Sequence, residues 1–357
     1  MKTYRHLYAQ VWSFENLYLA YHRACKGKRG QEPAANFEFD LEGNLLQLQE
    51  ELATKTYQPG PYHSFYIHEP KRRLISAAPF RDRVVHHALC NVIEPIFERR
   101  FIDDSYANSV GKGTHRALDR CTFFARRYSY VLQCDVQQFF PSIDHAILRG
   151  ILTRHIADCD VVWLVDRILE SGVGVLSEEY EMQWFPGDDL TASLRPRGLP
   201  IGNLTSQFWA NVYLSELDQF VKRTLKCPAY IRYVDDFLLF GGDKPTLHVW
   251  RAAIIAFLTT LRLRLHEASA QVYPVTEGIP FLGFRIYPTH RRLKRRKGIA
   301  FRRRLKELLA AYAAGAVEKE QLDASVRGWV AHVSHGDTYG LRWAMFQANP
   351  VPRRLNL

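Results

Sequence analysis

Residues 229–242 read Ala-Tyr-Ile-Arg-Tyr-Val-Asp-Asp-Phe-Leu-Leu-Phe-Gly-Gly. Two short runs of strand-forming residues flank an acidic pair, Asp235-Asp236, and this pattern predicts a β-hairpin. An acidic pair at a turn is ordinarily solvated, because Asp is a common turn residue. The flanks oppose that here. Tyr233, Val234, Phe237, Leu238, Leu239 and Phe240 are apolar, so the hairpin is expected inside a sheet. A second apolar run over 129–136 predicts a strand ending in another acid, Asp135. Carboxylates gathered from two strand ends can hold two divalent ions about 3.5–4 Å apart. Hard oxygen ligands favour magnesium or manganese over zinc. That arrangement suits phosphoryl transfer, in which the ions lower the pKa of an attacking 3′-hydroxyl and neutralise charge on phosphorus and pyrophosphate.

Composition narrows the classes. The chain has 357 residues, 47% hydrophobic and 24% charged, which excludes global disorder. No run of 18 or more apolar residues points to a membrane span, and the N-terminus lacks the apolar core of a secretory signal. Six cysteines at 25, 90, 121, 134, 159 and 227 form no CxxC pair, so reduced core thiols are expected. The net charge is +11, and residues 285–307 alone carry +10 of it, with eleven Lys/Arg and one acid. Within that run Phe301, Leu305, Leu308, Leu309 and Tyr312 fall on one helical face, so a folded basic helix is expected. Such a helix fits a nucleic-acid backbone.

Helices are expected over 8–28, 41–54, 81–100, 144–172, 203–226, 246–265, 299–313 and 319–346. A hairpin is expected over 64–76, strands near 271–275 and 280–286, and a loop or hairpin insertion over 174–200. Glu38, Asp40 and Glu42 alternate with Phe37, Phe39 and Leu41, which predicts one solvated face. Trp329, Tyr339 and Trp343 are assigned to core, and the HxxH of His332 and His335 to packing or surface.

With these residues in view the chain resembles reverse transcriptases. Tyr233-Val234-Asp235-Asp236 resembles their YxDD box, and Asp135 with Phe139-Phe140 the preceding catalytic strand. Gly198-Leu199-Pro200-Ile201-Gly202-Asn203-Leu204-Thr205-Ser206-Gln207 resembles the intervening helix motif. Phe281-Leu282-Gly283-Phe284 resembles the primer grip, and Lys71-Arg72-Arg73-Leu74-Ile75 with Arg81-Asp82-Arg83 the fingers motifs. Ile201 and Gln207 stand where most of the family has Gln and Pro. That form is similar to diversity-generating retroelement enzymes, near the group II intron lineage.

The resemblance implies an α+β right-hand polymerase fold. It places an N-terminal helical extension at 1–60, fingers at 61–128 with part of 145–200, a palm at 129–286 and a basic helical thumb at 287–357. It implies RNA-directed DNA synthesis by two-metal nucleotidyl transfer, with two Mg2+ per site, or Mn2+, held by Asp135, Asp235 and Asp236 and flanked by Val136. Lys71, Arg73, Phe140, Ile201, Gly202 and Gln207 are implied to meet the incoming dNTP, with Phe140 as the sugar gate that excludes a 2′-hydroxyl. Arg72 alternates to the opposite face of its strand and is expected in solvent. Phe281, Leu282 and Gly283 are implied as primer grip. Arg291, Arg292, Lys294, Arg295, Arg296, Lys297, Arg302 and Arg303 are expected on the template RNA and nascent cDNA. Ile201 removes a polar check on geometry, which implies low fidelity. Ser269 or a neighbour stands where related enzymes often carry a Lys that acts as general acid.

The implied partners are a retroelement template RNA and a small basic accessory protein, with no membrane, in the cytoplasm of a bacterium or encoded by a phage. The competing readings are a group II intron-like or antiphage-defence reverse transcriptase and a non-catalytic RNA-binding scaffold. Because the thumb reaches about 345, no DNA-binding or endonuclease module is expected. A metal-dependent nuclease would use clustered acids without fingers or a sugar gate.

Overall fold

The computed structural model describes residues 2–68 and 72–352. Helices and antiparallel strands mix along the chain, which is the expected α+β class. Strands β1 (His63–Ile67) and β2 (Arg73–Ala77) pair antiparallel from His63↔Ala77 to Ile67↔Arg73. Strands β3 (Tyr130–Asp135), β4 (Tyr230–Tyr233), β5 (Asp236–Gly241) and β6 (Gln271–Pro274) make a four-stranded sheet in the order β4-β5-β3-β6. Strands β7 (Ile279–Phe281), β8 (Phe284–Ile286) and β9 (Arg291–Leu293) make a three-stranded meander. The chain divides into two compact units.

The first unit comprises residues 1–111, 134–237 and 249–270. Its core forms where the helix Phe80–Glu98 packs on the helices Phe14–Cys25 and Leu204–Gln219. Val84, Val85, Leu89 and Ile93 recur at helical spacing on one face and are fully buried, as are Leu17, Phe208 and Val212 opposite them. The segment 174–200 forms no strand and is strapped down by arginine. Arg262 forks onto Asp188 at 2.6 and 2.8 Å, and Arg195 bonds Asp144 at 2.7 Å.

The second unit comprises residues 112–133, 238–248 and 271–357. The basic run folds as the helix Arg295–Ala313, with Phe301, Leu305 and Leu309 inward. Trp329 stacks on Phe301 with ring centres 4.0 Å apart. A cluster of such apolar contacts lets a helix with so many cations stay folded, since propensity alone would not.

Four expectations need correction. The closing helix breaks into Lys319–Val333 and Tyr339–Gln347, because Asp337 N donates to Arg291 O at 2.7 Å and Thr338 Oγ1 turns back onto Val333 O. Tyr339 and Trp343 stay 73% and 59% exposed rather than in the core, one helical turn apart on the same face. Glu38, Asp40 and Glu42 are all exposed as expected, but the segment is helical, so Phe39 does not turn inward with Phe37 and is 95% exposed, while Asp40 caps the helix Leu41–Ala53 through Gly43 N. Strand β9 lies inside what reads as a pure charge run.

Candidate active site

The hairpin of 229–242 places its acids at a two-residue loop between β4 and β5. Val234 opens that loop at φ +57°. A β-branched residue in this left-handed region is a strained outlier, costing about 1–2 kcal/mol, and persists only when its surroundings enforce it. The loop meets the end of β3, where Val136 N donates to Asp235 O at 3.3 Å. Asp135 O in turn accepts from His266 N at 2.8 Å. Asp135, Asp235 and Asp236 are all half-buried. Burial pushes the neighbouring Cys134 thiol up, so it stays protonated and is no nucleophile.

Immediately after Val136 the chain enters the left-handed region at Gln138 (φ +45°) and starts a one-turn helix, Phe139–Ser142. The turn sends the two phenylalanines to different fates: Phe139 is buried and Phe140 half-buried. Phe140 O accepts from Leu199 N at 3.0 Å, and Ile143 O from Gly198 N at 2.9 Å. His145 Nε2 donates to Gly198 O at 2.7 Å. These bonds fix the 198–203 segment beside the strand that ends in Asp135.

The same segment is fixed on its other side to β2. Ser76 N donates to Ile201 O at 2.8 Å. Asn203, buried, bonds Ser76 O, Pro200 O and Ala78 N through its side-chain amide. Gly202 sits between at φ +120°, and a Cβ there would meet Ile75 Cγ2 at 3.0 Å. Both facts require glycine. Gln207 is exposed on the first turn of Leu204–Gln219. Arg73 is exposed on β2, and Arg72 is exposed with its guanidinium 4.0 Å over the Tyr66 ring. Lys71 lies outside the described residues.

One run of backbone bonds therefore joins β2, the 198–203 segment, the Phe139 turn and the Asp235 loop, all in the first unit. The oxygen donor set fits a hard divalent cation better than zinc. Among the described residues no group of three or more His, Cys, Asp and Glu forms a metal cage. The fit therefore rests on donor chemistry and on the joining of the two loops.

The remaining site residues, Ser269 apart, lie in the second unit. Leu282 (φ +44°) and Gly283 (φ +90°) make the two-residue turn of the β7-β8 hairpin, with Phe281 paired to Phe284 and both buried. Gly283 O accepts from Lys294 N at 3.0 Å. Arg292, Arg295, Arg296, Lys297, Arg302 and Arg303 are exposed, and Lys294 is half-buried. Arg291 is built into the fold: it bonds Thr122 Oγ1 at 2.7 Å and Asp119 Oδ1 at 2.8 Å. His332 Nδ1 lies 3.3 Å from His115 Nε2, and His335 stacks on His115, so these imidazoles pack together. Ser269 is exposed and donates to His266 O.

Sequence reasoning missed Asn203 as a clamp and Arg232 with Asp218 as a buried ion pair. The signal was faint: a buried Asn or Arg has the same letter as a surface one.

A family model described as reverse transcriptase (RNA-dependent DNA polymerase) matches residues 67–286. Protein YkfC of Escherichia coli K12 is 26% identical, over 68% of this chain and 71% of its own length. The group II intron-encoded protein LtrA of Lactococcus lactis is 26% identical over 58% of this chain and 33% of its own. Nuclear intron maturase 2, mitochondrial, of Arabidopsis thaliana is 26% identical over 48% of this chain and 26% of its own. The chain thus spans a third or less of the length of those two intron-related proteins. Acids on joined loops, the clamped glycine segment and this match over most of the chain agree, and the chain belongs to the reverse transcriptase (RNA-dependent DNA polymerase) family.

Proposed function

We propose that this protein copies a retroelement template RNA into cDNA by Mg2+-dependent nucleotidyl transfer, and that it is of the diversity-generating retroelement type. The supporting observation is the run of backbone bonds that gathers Asp135, Asp235, Phe140 and Ile201 on one framework. Asp135, Asp235 and Asp236 would hold Mg2+, with Val136 beside them; bound there, Mg2+ supplies activation of the 3′-hydroxyl and charge neutralisation at phosphorus. Phe140 stands against the sugar edge of the dNTP, and Arg73 and Lys71 bind its triphosphate. Ile201, Gly202 and Gln207 line the nascent pair, and Phe281, Leu282 and Gly283 hold the primer end. We assign fingers to 61–128, palm to 129–286 and thumb to 287–357, with Arg292, Lys294, Arg295, Arg296, Lys297, Arg302 and Arg303 along the RNA/DNA duplex. A small basic accessory protein completes the proposed partners.

Ile201 carries the subtype. Its side chain offers no hydrogen bond where most of the family offers an amide, so mispaired geometries go unchecked. Ile201→Gln should lower the misincorporation frequency on an RNA template several-fold, read by sequencing the cDNA. An unchanged error spectrum would contradict the diversity-generating assignment. It would favour the second reading, an intron-type enzyme, which similarity to the intron-encoded protein and the intron maturase supports.

A further inference from the structure

Arg232 sits two residues before the strained Val234 and has no solvent access. Its guanidinium forks onto Asp218, Nε to Oδ1 at 2.7 Å and Nη2 to Oδ2 at 2.6 Å. Nη1 donates to Asn211 Oδ1 and to Val234 O, each at 3.1 Å. Tyr230 OH donates to Asp218 Oδ1 at 2.8 Å, and Asn211 Nδ2 to Ala107 O at 2.8 Å. The backbone is held too: Arg232 N donates to Asp104 O and Tyr106 N to Arg232 O. Burial alone would drive the guanidinium toward neutrality, and Asp218 overrides it and keeps the charge.

A sheet hairpin does not need a buried cation. A fully desolvated pair contributes little net stability over an apolar pair of similar volume, yet is costly to break. What this pair does have is direction. The carbonyl it grips belongs to the peptide that joins Val234 to Asp235. That peptide's orientation sets where Asp235 and Asp236 point. We propose that Arg232 is a positioning residue for the metal-binding carboxylates, acting through the Val234 carbonyl, with Asp218 and Asn211 as its fixed base. Both anchors lie on the helix Leu204–Gln219, whose first turn carries Gln207. One rigid helix thus braces the carboxylate loop at one end and abuts the clamped 198–203 segment at the other. A lysine at 232 would keep charge opposite Asp218 but lacks the fork that reaches a second acceptor.

This inference rests on the polymerase reading above, and two measurements separate them. The variants are Arg232→Lys, and the double Arg232→Met/Asp218→Leu, which removes both charges at similar volume so that neither is left buried alone. Melting temperature establishes that each is folded. Mn2+ binding by calorimetry gives a readout independent of turnover. RNA-templated primer extension gives kcat, the dNTP KM and the half-saturating Mg2+ concentration. We expect Mn2+ affinity at least tenfold weaker, a half-saturating Mg2+ at least tenfold higher and a dNTP KM within about twofold of wild type. Rate should be partly restored by high Mg2+, whereas Asp235→Ala is not restored. Folded variants with wild-type Mn2+ affinity and Mg2+ dependence would overturn the inference and leave the polymerase reading standing. A wild type that neither binds Mn2+ nor extends a primer would overturn both.

Discussion

Phe139 and Phe140 are adjacent, identical in chemistry and opposite in setting. The left-handed Gln138 starts a single helical turn that buries the first ring and leaves the second half-exposed. Substitution should therefore separate them cleanly. Phe139→Ala should cost about 3–5 kcal/mol of stability, the usual range for a deleted core ring. Phe140→Ala should cost much less, and should raise incorporation of ribonucleotides relative to deoxynucleotides at least tenfold. Chemical denaturation and competitive primer extension measure the two effects. Ribonucleotide discrimination unchanged in Phe140→Ala would remove the gate assignment. Gly202→Ala tests the neighbouring segment. With φ +120° and Ile75 Cγ2 at 3.0 Å, it should destabilise by at least about 1–2 kcal/mol, read from the same unfolding curves.

Among elements, the helix Phe80–Glu98 carries a pH liability. Burial depresses His86 to about 3 and His87 to about 4. In the unfolded chain both return toward 6.5, so between those values the unfolded state binds the extra protons. Stability is therefore intact above about pH 6.5 and falls below it, by up to about 1.4 kcal/mol per pH unit for each histidine. Urea midpoints at pH 7.0 and 5.5 should show that loss, and His86→Leu should flatten it. An equal pH slope in wild type and variant would contradict the account.

At this same scale, much of the fold was legible. The apolar spacing at Val84, Val85, Leu89 and Ile93 gave the helix and its face, and Phe301, Leu305 and Leu309 did the same for the basic helix. What stayed hidden was set by partners distant in sequence. Strand β9 forms because Phe284 pairs with Leu293, which no local pattern around Arg291-Arg292 announces. The closing helix breaks because Asp337 finds the Arg291 carbonyl. Trp343 reads as core by residue type, but its helix buries Met345 instead. The site divides the same way. The acids and glycines were legible because their residue types are rare in those settings. The clamp of Asn203 and the brace of Arg232 exist only through contacts made over 125 or so and 14 residues of chain, respectively.

For the whole molecule, the net charge of +11 is concentrated, with +10 on residues 285–307. Exposed Arg292, Arg295, Arg296, Lys297, Arg302 and Arg303 make that segment a candidate duplex track. Arg291 is tied to Asp119 and Thr122 and should contribute to stability instead. The affinity for an RNA/DNA duplex should then fall steeply and linearly in log–log salt plots. The double variant Arg302→Ala/Arg303→Ala should reduce that slope by about 2, one unit per lost phosphate contact. An unchanged slope would place the duplex elsewhere. No helix among the described residues is long and apolar enough to cross a membrane.

The most direct measurement is primer extension on an RNA template with Mg2+ and dNTPs, comparing wild type with Asp235→Ala. The account requires extension by the wild type and its loss, by at least about a thousandfold (roughly 4 kcal/mol of barrier), when that carboxylate is removed. A wild type that does not extend, or an Asp235→Ala variant that extends as well as wild type, would contradict it.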